Sequence, residues 1–438
     1  MTSSNRDQEL RRFYQALPLE EPLEVGDKRY VADLHHDGGG DPIAQLATQI
    51  DWDEGSGVYL FTGQRGTGKS TELRRLQHML REQGNTVLLV DMAEYLHETQ
   101  PVEISDFLIS VLGAMSDRFG HELGNDPAVR SYWERVGDFL AKEVKVEELN
   151  LEVGAASLKL GLRDDPTFKQ RIRQGARGHV SKLVKQGREF VSELVDAVHK
   201  RPGYEHAKVV LIVDSVERLR GVGAEGAKQV YDSVVNLFSG HADNLKFPQL
   251  HVVYSIPPYL SALTGALSAY YGGKLYALAS VHVFENPEAG PARSASERGV
   301  AAMIKVIETR YAQWGEVFTD EDLRRLVLIS GGDLRDYFRM IRNCLTVARQ
   351  ESKLPLVPER IDAVLAAARR EIGLIPNEDM VWLRRIAATH KHELESIEQL
   401  STLARFFDGK LVLNYRNGAD WYDVHPLLWD VIAPPEQR

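Results

Sequence analysis

Short apolar runs alternate with stretches of helical spacing along much of the chain. Val58-Tyr59-Leu60-Phe61 is β-branched and aromatic, and its composition predicts a buried strand over 58–62. Similar runs at 86–91 (TVLLVD), 209–213 (VVLIV), 249–255 and 276–284 predict four more strands. Leu73, Leu76, Met79 and Leu80 fall on one helical face, and Gly84 closes that helix. The five apolar residues at 209–213 carry no alternation, as expected of a parallel strand covered on both faces. Strands that alternate with helices predict an α/β protein with a five-stranded parallel sheet.

Residues 25–100 and 205–290 supply this core, and the segment between them is longer than a crossover helix requires. Residues 101–204 therefore read as an inserted α+β subdomain. Phe107, Leu108, Val111 and Leu112 predict a helix over 104–119. Alternation at Val146, Leu149, Leu151 and Val153, then at Leu158, Leu160 and Leu162, predicts a β-hairpin with Gly154-Ala155-Ala156 near its tip. A long helix follows over 165–200, with a break expected near Gly175 or Gly178. Helices at 320–329, 334–351 and 358–372 make a helical lid within 291–375, and Thr319 with Asp322 gives the first a capping-box start. In 376–438, helical patterns at 381–390 and 396–407 precede two strand-like runs around Asn417-Gly418, a strong hairpin signal. That order predicts a winged-helix-like module. Residues 1–24 read as a polar extension, mobile over the first 20.

Composition narrows the function. The chain has 438 residues, 43% of them hydrophobic and 26% charged, in the range of a globular protein with a large core. A net charge of -10 excludes a protein coated in basic surface but leaves room for a local patch. One cysteine, Cys344, allows no intrachain disulfide. The N-terminal stretch lacks a signal-peptide apolar core, and the apolar runs are too short to cross a bilayer. A cytoplasmic protein without membrane contact is expected. Arg163, Lys169, Arg171, Arg173, Arg177, Lys182, Lys185 and Arg188 form a basic run. Within 163–188 this is either a solvated helix face or a contact for DNA or an acidic partner. The C-terminal module is a second place for DNA, although its balanced charge favours a protein contact. His35-His36 and His390/His392 lack zinc-site spacing and read as structural or solvated.

One loop carries the strongest chemistry. Gly63, Gln64, Arg65, Gly66, Thr67, Gly68, Lys69 and Ser70 fit G-x-x-x-x-G-K-[ST], between a strand and a helix. Glycines let backbone N–H groups approach phosphate oxygens, and the helix that follows turns its positive end to the same anion. Lys69 is expected at the β- and γ-phosphates, Ser70 at Mg²⁺, and Thr71 within the nucleotide site. Asp214 ends the strand 209–213, where ligands bind in open α/β sheets, and is the expected metal-side carboxylate. Glu217, three residues on, is the expected water-orienting group.

With these residues the chain resembles the AAA+ ATPases, in particular their replication-initiator and STAND branches. Gly63–Ser70 is similar to a Walker A motif and Val209–Asp214 to a Walker B strand. QLHVVYSIPPYL (249–260), with Ser255, resembles a sensor 1 strand; GGDLRDYFRMI (331–341), with Arg335, resembles a sensor 2 helix. The segment 29–50 looks like the one that precedes Walker A and packs on adenine. The resemblance implies a P-loop NTPase core with strand order 5-1-4-3-2 and catalytic roles for Lys69, Asp214, Glu217, Ser255 and Arg335. Two departures matter. Ser215 stands where most AAA+ proteins carry glutamate, and Asp-Ser-Val-Glu looks more like the Asp-Gly-x-Asp of STAND switches. No arginine finger is evident either. The stretch 263–278 offers only Lys274, and Arg218, Arg220 and Arg293 are the remaining candidates.

The implied function is that of an ATP-binding, Mg²⁺-dependent ATPase, slow to hydrolyse and acting as a switch. It would assemble as a homo-oligomer with a separate effector protein, and bacterial antiphage defence is the setting by analogy. The alternatives are a DNA-loading ATPase of the initiator kind and a nucleotide-binding scaffold without hydrolysis. No N-K-x-D motif follows a strand, which favours ATP over GTP.

Overall fold

The expected strands form. In the computed structural model, which describes residues 3–36, 40–124, 131–143, 155–221, 223–287, 293–394 and 396–432, the apolar runs give β1 (Gly57–Gly63), β2 (Thr86–Asp91), β3 (Val209–Asp214), β4 (Leu250–Ile256) and β5 (Leu275–Leu278). Their order across the sheet is β2-β3-β4-β1-β5. This is the order the resemblance implies, read from the other edge. β1 pairs with β4, β4 with β3 and β3 with β2, all in parallel. β3 and β4 are buried along their whole length, which explains their unbroken apolar sequence. β5 stops at Leu278, short of the run expected to Phe284.

The chain divides into two units. One comprises Ile43–Thr62 and Glu72–Ala277. It holds most of the sheet and the insertion. Helix Ile104–Leu123 is buried over most of its first three turns, including Phe107, Leu108, Val111 and Leu112. Helices Tyr132–Glu143, Ala155–Asp164, Pro166–Ala176 and Val180–His199 complete the insertion. One expectation changes here and one holds. Leu158, Leu160 and Leu162, assigned to a hairpin arm, lie on a helix, with Leu158 and Leu162 buried on one face four residues apart. The other arm, 145–153, and Gly154 of the tip fall outside the described residues, while Ala155 and Ala156 open that helix. The helical stretch of 165–200 breaks where expected, at Arg177–His179, where Gly178 takes φ +84.

The other unit comprises Met1–Pro42, Gly63–Thr71 and Leu278–Arg438. It contains the glycine loop, the helical lid and the C-terminal segment. The lid helices are Asp320–Ile329, Leu334–Ala348 and Pro358–Glu371, and Thr319 and Asp322 make the expected capping box. Helices Asn377–Thr389 and Leu400–Asp408 lead into an antiparallel pair, β6 (Val412–Asn417) and β7 (Ala419–Val424). Gly418 turns the hairpin at φ +97, a conformation that favours glycine.

One core joins these parts. Met303, Leu323, Tyr337 and Ile341 of the lid pack with Leu413, Tyr415 and Trp421 of the hairpin. Residues 3–15 form a helix rather than a polar tail, and Leu10, Phe13 and Leu17 enter the same core. Phe13 stacks on Tyr311 at 4.4 Å. Among the described residues no helix is long and apolar enough to cross a membrane.

Candidate functional site

The glycine loop has the backbone that its sequence demands. Gly66 and Gly68 take φ +96 and +95, which side chains disfavour. A Cβ on Gly66 would lie 2.7 Å from Asp333 Oδ1 and 2.9 Å from Arg335 Cβ, so the position is closed to any larger residue. Helix Lys69–Glu82 starts at the loop's lysine, so its first N–H groups end the loop. Lys69 is buried, and its Nζ donates to the carbonyl oxygen of Gln64 at 2.9 Å. Thr67 Oγ1 donates to the same oxygen at 2.9 Å. Arg65, Ser70 and Thr71 are half-buried. Thr71 Oγ1 accepts the Leu23 N–H at 3.0 Å, which brings the N-terminal segment to the loop.

Lid residues meet the loop from one side. Asp333 caps the helix Leu334–Ala348 and accepts the Asp336 N–H at 2.8 Å. Lys410, from the C-terminal segment, donates to Asp333 Oδ1 at 2.7 Å and lies 3.2 Å from Asp336 Oδ2. Burial raises Asp333 above the ordinary carboxylate range despite that ammonium. Burial also works against charge on Asp336, but Lys410 and His425 outweigh it and hold this carboxyl below its ordinary value. Arg335 sends its Nε to the Leu19 carbonyl at 3.2 Å, and its Nη1 lies 3.9 Å from Glu20.

In the other unit the ends of β3 and β4 form a second cluster. Asp214 is buried, and its Oδ1 accepts the Ser215 N–H at 2.7 Å. Ser215 takes φ +70, a left-handed backbone, with its hydroxyl buried and without a hydrogen-bond partner. Glu217 lies on the turn Val216–Arg218 and is also buried. Ser255 Oγ donates to Glu217 Oε2 at 2.8 Å and accepts the Val216 N–H at 3.2 Å. Three sequence-predicted residues, Asp214, Glu217 and Ser255, therefore share one buried site. Parallel register carries Asp214 and Ser255 to the same sheet edge, with Ser255 opposite Phe61 of β1.

Mg²⁺ prefers few protein ligands, all oxygen. Asp214, a buried carboxylate whose Oδ1 already takes a backbone donor, and Ser70, a half-buried hydroxyl on the first turn of a helix, are donors of that type. Among the described residues no cluster of three or more His, Cys, Asp or Glu side chains offers an all-protein metal cage.

Other candidates are engaged elsewhere. Arg293 donates to Asp423 Oδ1 at 2.7 Å and lies over the Trp429 ring at 4.6 Å. Lys274 bonds Asp53 and sits 5.0 Å from the Tyr59 ring centre. The basic run is thinner than its sequence implies. Arg173 donates to buried Asp106 at 2.6 Å and to the Pro101 carbonyl, Lys169 is buried, and Arg188 donates to the Asp243 carbonyl. Arg171, Arg177, Lys182 and Lys185 are exposed.

Sequence reasoning named Gln64 only as a member of the loop and missed Lys410 and His35 beside it. Gln64 contributes its side chain as well as its backbone: Nε2 donates to the Val412 carbonyl and Oε1 accepts the Asn414 N–H. Lys410 reaches Asp333 across 77 positions. His35 Nε2 lies 3.9 Å from the point a Cβ on Gly68 would occupy. No local pattern announces such contacts.

No family model and no curated protein matches the chain. Among solved structures, the Aeropyrum pernix ORC2 protein, in ADPNP and ADP complexes, is similar at 11% identity, with 95% of each chain covered and a TM-score of 0.41. Cdc6p from Pyrobaculum aerophilum is similar at 12% identity, over 95% of this chain and 96% of that one, with a TM-score of 0.38. A Walker-type ATPase of Pyrococcus abyssi gives 12% identity, 95% and 99% coverage, and a TM-score of 0.39. At that distance none of them assigns this chain to a family.

Proposed function

We propose that this chain is an ATP-binding, Mg²⁺-dependent P-loop ATPase of AAA+ type that works as a slow nucleotide-driven switch. The observation that carries the reading is the glycine loop itself. Two positive-φ glycines, a buried lysine and a helix N-terminus follow directly on a strand, the arrangement a phosphate cradle requires. Lys69 neutralises charge on the β- and γ-phosphates in this reading, exchanging the Gln64 carbonyl for phosphate oxygen. Asp214 and Ser70 hold Mg²⁺, which supplies charge neutralisation between the phosphates when bound. Glu217 orients water, with Ser255 holding its carboxylate. Arg335 senses the γ-phosphate and must leave the Leu19 carbonyl to do so.

Slow turnover is favoured by the residue after Asp214. A left-handed backbone at Ser215 suits glycine, as in the Asp-Gly-x-Asp pattern of STAND switches, and leaves the carboxylate role to Glu217. A homo-oligomer that engages a separate effector, in antiphage defence or a comparable response, is the working setting for such a switch.

The test is mass measurement by light scattering, together with phosphate release, for wild type and Glu217→Gln. A switch shows a change in mass on adding Mg-ATP that persists in Glu217→Gln while phosphate release falls. No nucleotide-dependent change in mass, with phosphate release equal in the two proteins, contradicts it.

A further inference from the structure

The C-terminal hairpin is paired along both edges of β6. One edge meets β7. The other edge exposes a carbonyl at Val412, an N–H and a carbonyl at Asn414, and an N–H at Arg416. None of these is left to solvent. Gln64 Nε2 donates to the Val412 carbonyl at 2.5 Å, and the Asn414 N–H donates to Gln64 Oε1 at 3.1 Å. The Ser280 N–H donates to the Asn414 carbonyl at 3.0 Å, and the Arg416 N–H donates to His282 Nε2 at 2.9 Å. A primary amide offers a donor and an acceptor side by side, as a peptide unit does. Gln64 therefore stands in for a residue of a neighbouring strand, and it is only 2% exposed.

The same residue organises the phosphate loop. Its carbonyl oxygen accepts both the Lys69 ammonium and the Thr67 hydroxyl. Side chain and main chain of one residue thus bind two different things: the hairpin edge and the loop's own cation. A second tie runs parallel to the first. Lys410, two residues before β6, pairs with Asp333, whose carboxylate closes the space beside Gly66. Tyr415 adds a third contact, donating to the Gly331 carbonyl at 2.8 Å.

We infer that Gln64 is a positioning residue that joins the phosphate loop to β6, so that the C-terminal hairpin is a working part of the nucleotide site. This rests on the proposal that the loop binds ATP. The clasp fixes the second residue of the loop and thereby the amides that follow it. Undocking the hairpin frees the Gln64 side chain, loosens the loop and weakens nucleotide binding. By linkage, nucleotide at the loop must strengthen hairpin docking by the same factor.

Two variants of the full chain test this. Asn414→Pro deletes the N–H given to Gln64 and leaves the residues that face β7 unchanged. Gln64→Met keeps side-chain length and removes both hydrogen bonds. Mg-ATP binding is measured by calorimetry, and hydrogen exchange of the peptide 411–424 is followed with and without Mg-ATP. Circular dichroism and a cooperative melt identify folded variants, and either variant alone carries the test. The expected result is that ATP slows exchange over 411–417 in wild type by at least about fivefold, and that each folded variant binds ATP at least about fivefold more weakly and loses that protection. Affinity within twofold of wild type, or tighter, together with hairpin exchange indifferent to ATP in wild type, overturns the inference while leaving the nucleotide site intact. Failure of wild type to bind Mg-ATP overturns both.

Discussion

Ser255 and Glu217 form a buried hydroxyl–carboxylate pair, with Ser255 Oγ donating to Glu217 Oε2 at 2.8 Å. The serine hydroxyl also receives the Val216 N–H, so it is oriented from both sides. A neutral donor can aim a carboxylate without removing its charge, which suits a group that must orient water.

Glu217→Gln is expected to lower ATP hydrolysis about 100-fold and to leave ATP binding in place. Ser255→Ala removes two hydrogen bonds, and loss of the one to Glu217, worth about 1 kcal/mol, should lower hydrolysis by about fivefold. Phosphate release at saturating ATP measures both. Equal rates in wild type and the two variants would remove Glu217 from the chemistry.

Two glycines with similar backbone angles should respond differently. Gly84 has φ +85 and open space around the missing Cβ, so Gly84→Ala should cost only about 1–2 kcal/mol of backbone strain. Gly66→Ala adds a collision with Asp333 and Arg335 to a comparable strain. It is expected to lose more stability than Gly84→Ala in urea unfolding, and to lose ATP binding, which Gly84→Ala retains.

The sheet was legible because each of its strands is a local event. Val209–Val213 is apolar without a break, and its short length and β-branched residues favour a covered strand over a buried helix. Asp214 was legible from its place at a strand end and Glu217 from its spacing, whereas Ser255 came only from the resemblance; parallel register brings the two strand ends to one edge. The hairpin arm at Leu158, Leu160 and Leu162 misled because alternate leucines also fit a helix when the middle one faces out. Leu160 is 54% exposed. The N-terminal helix was hidden by polar residues, since among its described side chains Leu10 and Phe13 are the buried apolar ones, with Leu17 just beyond. The side-chain contacts of Gln64, a residue named only as part of the loop, and the role of Lys410 were not legible. Their partners lie far along the chain, and tertiary packing alone brings them together.

The basic run needs a sharper DNA test than its sequence proposes. Arg173 pairs with Asp106, which is 1% exposed, and removing the guanidinium strips that buried carboxyl of its main hydrogen-bonded partner. Arg173→Ala should therefore cost about 3 kcal/mol in urea unfolding, with or without DNA. Arg171, Arg177 and Lys182 are exposed. Neutralising these three should leave stability within about 0.5 kcal/mol of wild type. If the run contacts DNA, the triple variant lowers affinity and the salt slope of binding by about three phosphate contacts. A slope unchanged from wild type assigns these side chains to a solvated face.

Two buried histidines set the acid limit. Burial holds His251 and His282 neutral, down to about pH 4, with Lys208 and Lys274 near the first and His35, Arg416 and Arg298 near the second. In the unfolded chain the same rings take a proton near pH 6.5. Between those values the unfolded state binds more protons, so stability falls as pH drops from 6.5 toward 4 and is fully present above 6.5. His282 must also stay unprotonated at Nε2 to accept the Arg416 N–H. Urea midpoints measured from pH 8 to pH 4 should be level above 6.5 and decline below it. His282→Gln should flatten that decline. A level profile down to pH 4 in wild type would contradict the assignment.

The central claim is that the loop Gly63–Ser70 receives the phosphates of Mg-ATP. Titration calorimetry of the full chain tests it most directly, with wild type and Lys69→Ala compared in the presence and absence of Mg²⁺. The account predicts one saturable site per chain that needs Mg²⁺ and is lost in Lys69→Ala. No heat of binding in wild type, or binding that survives the loss of Lys69 unchanged, would contradict it.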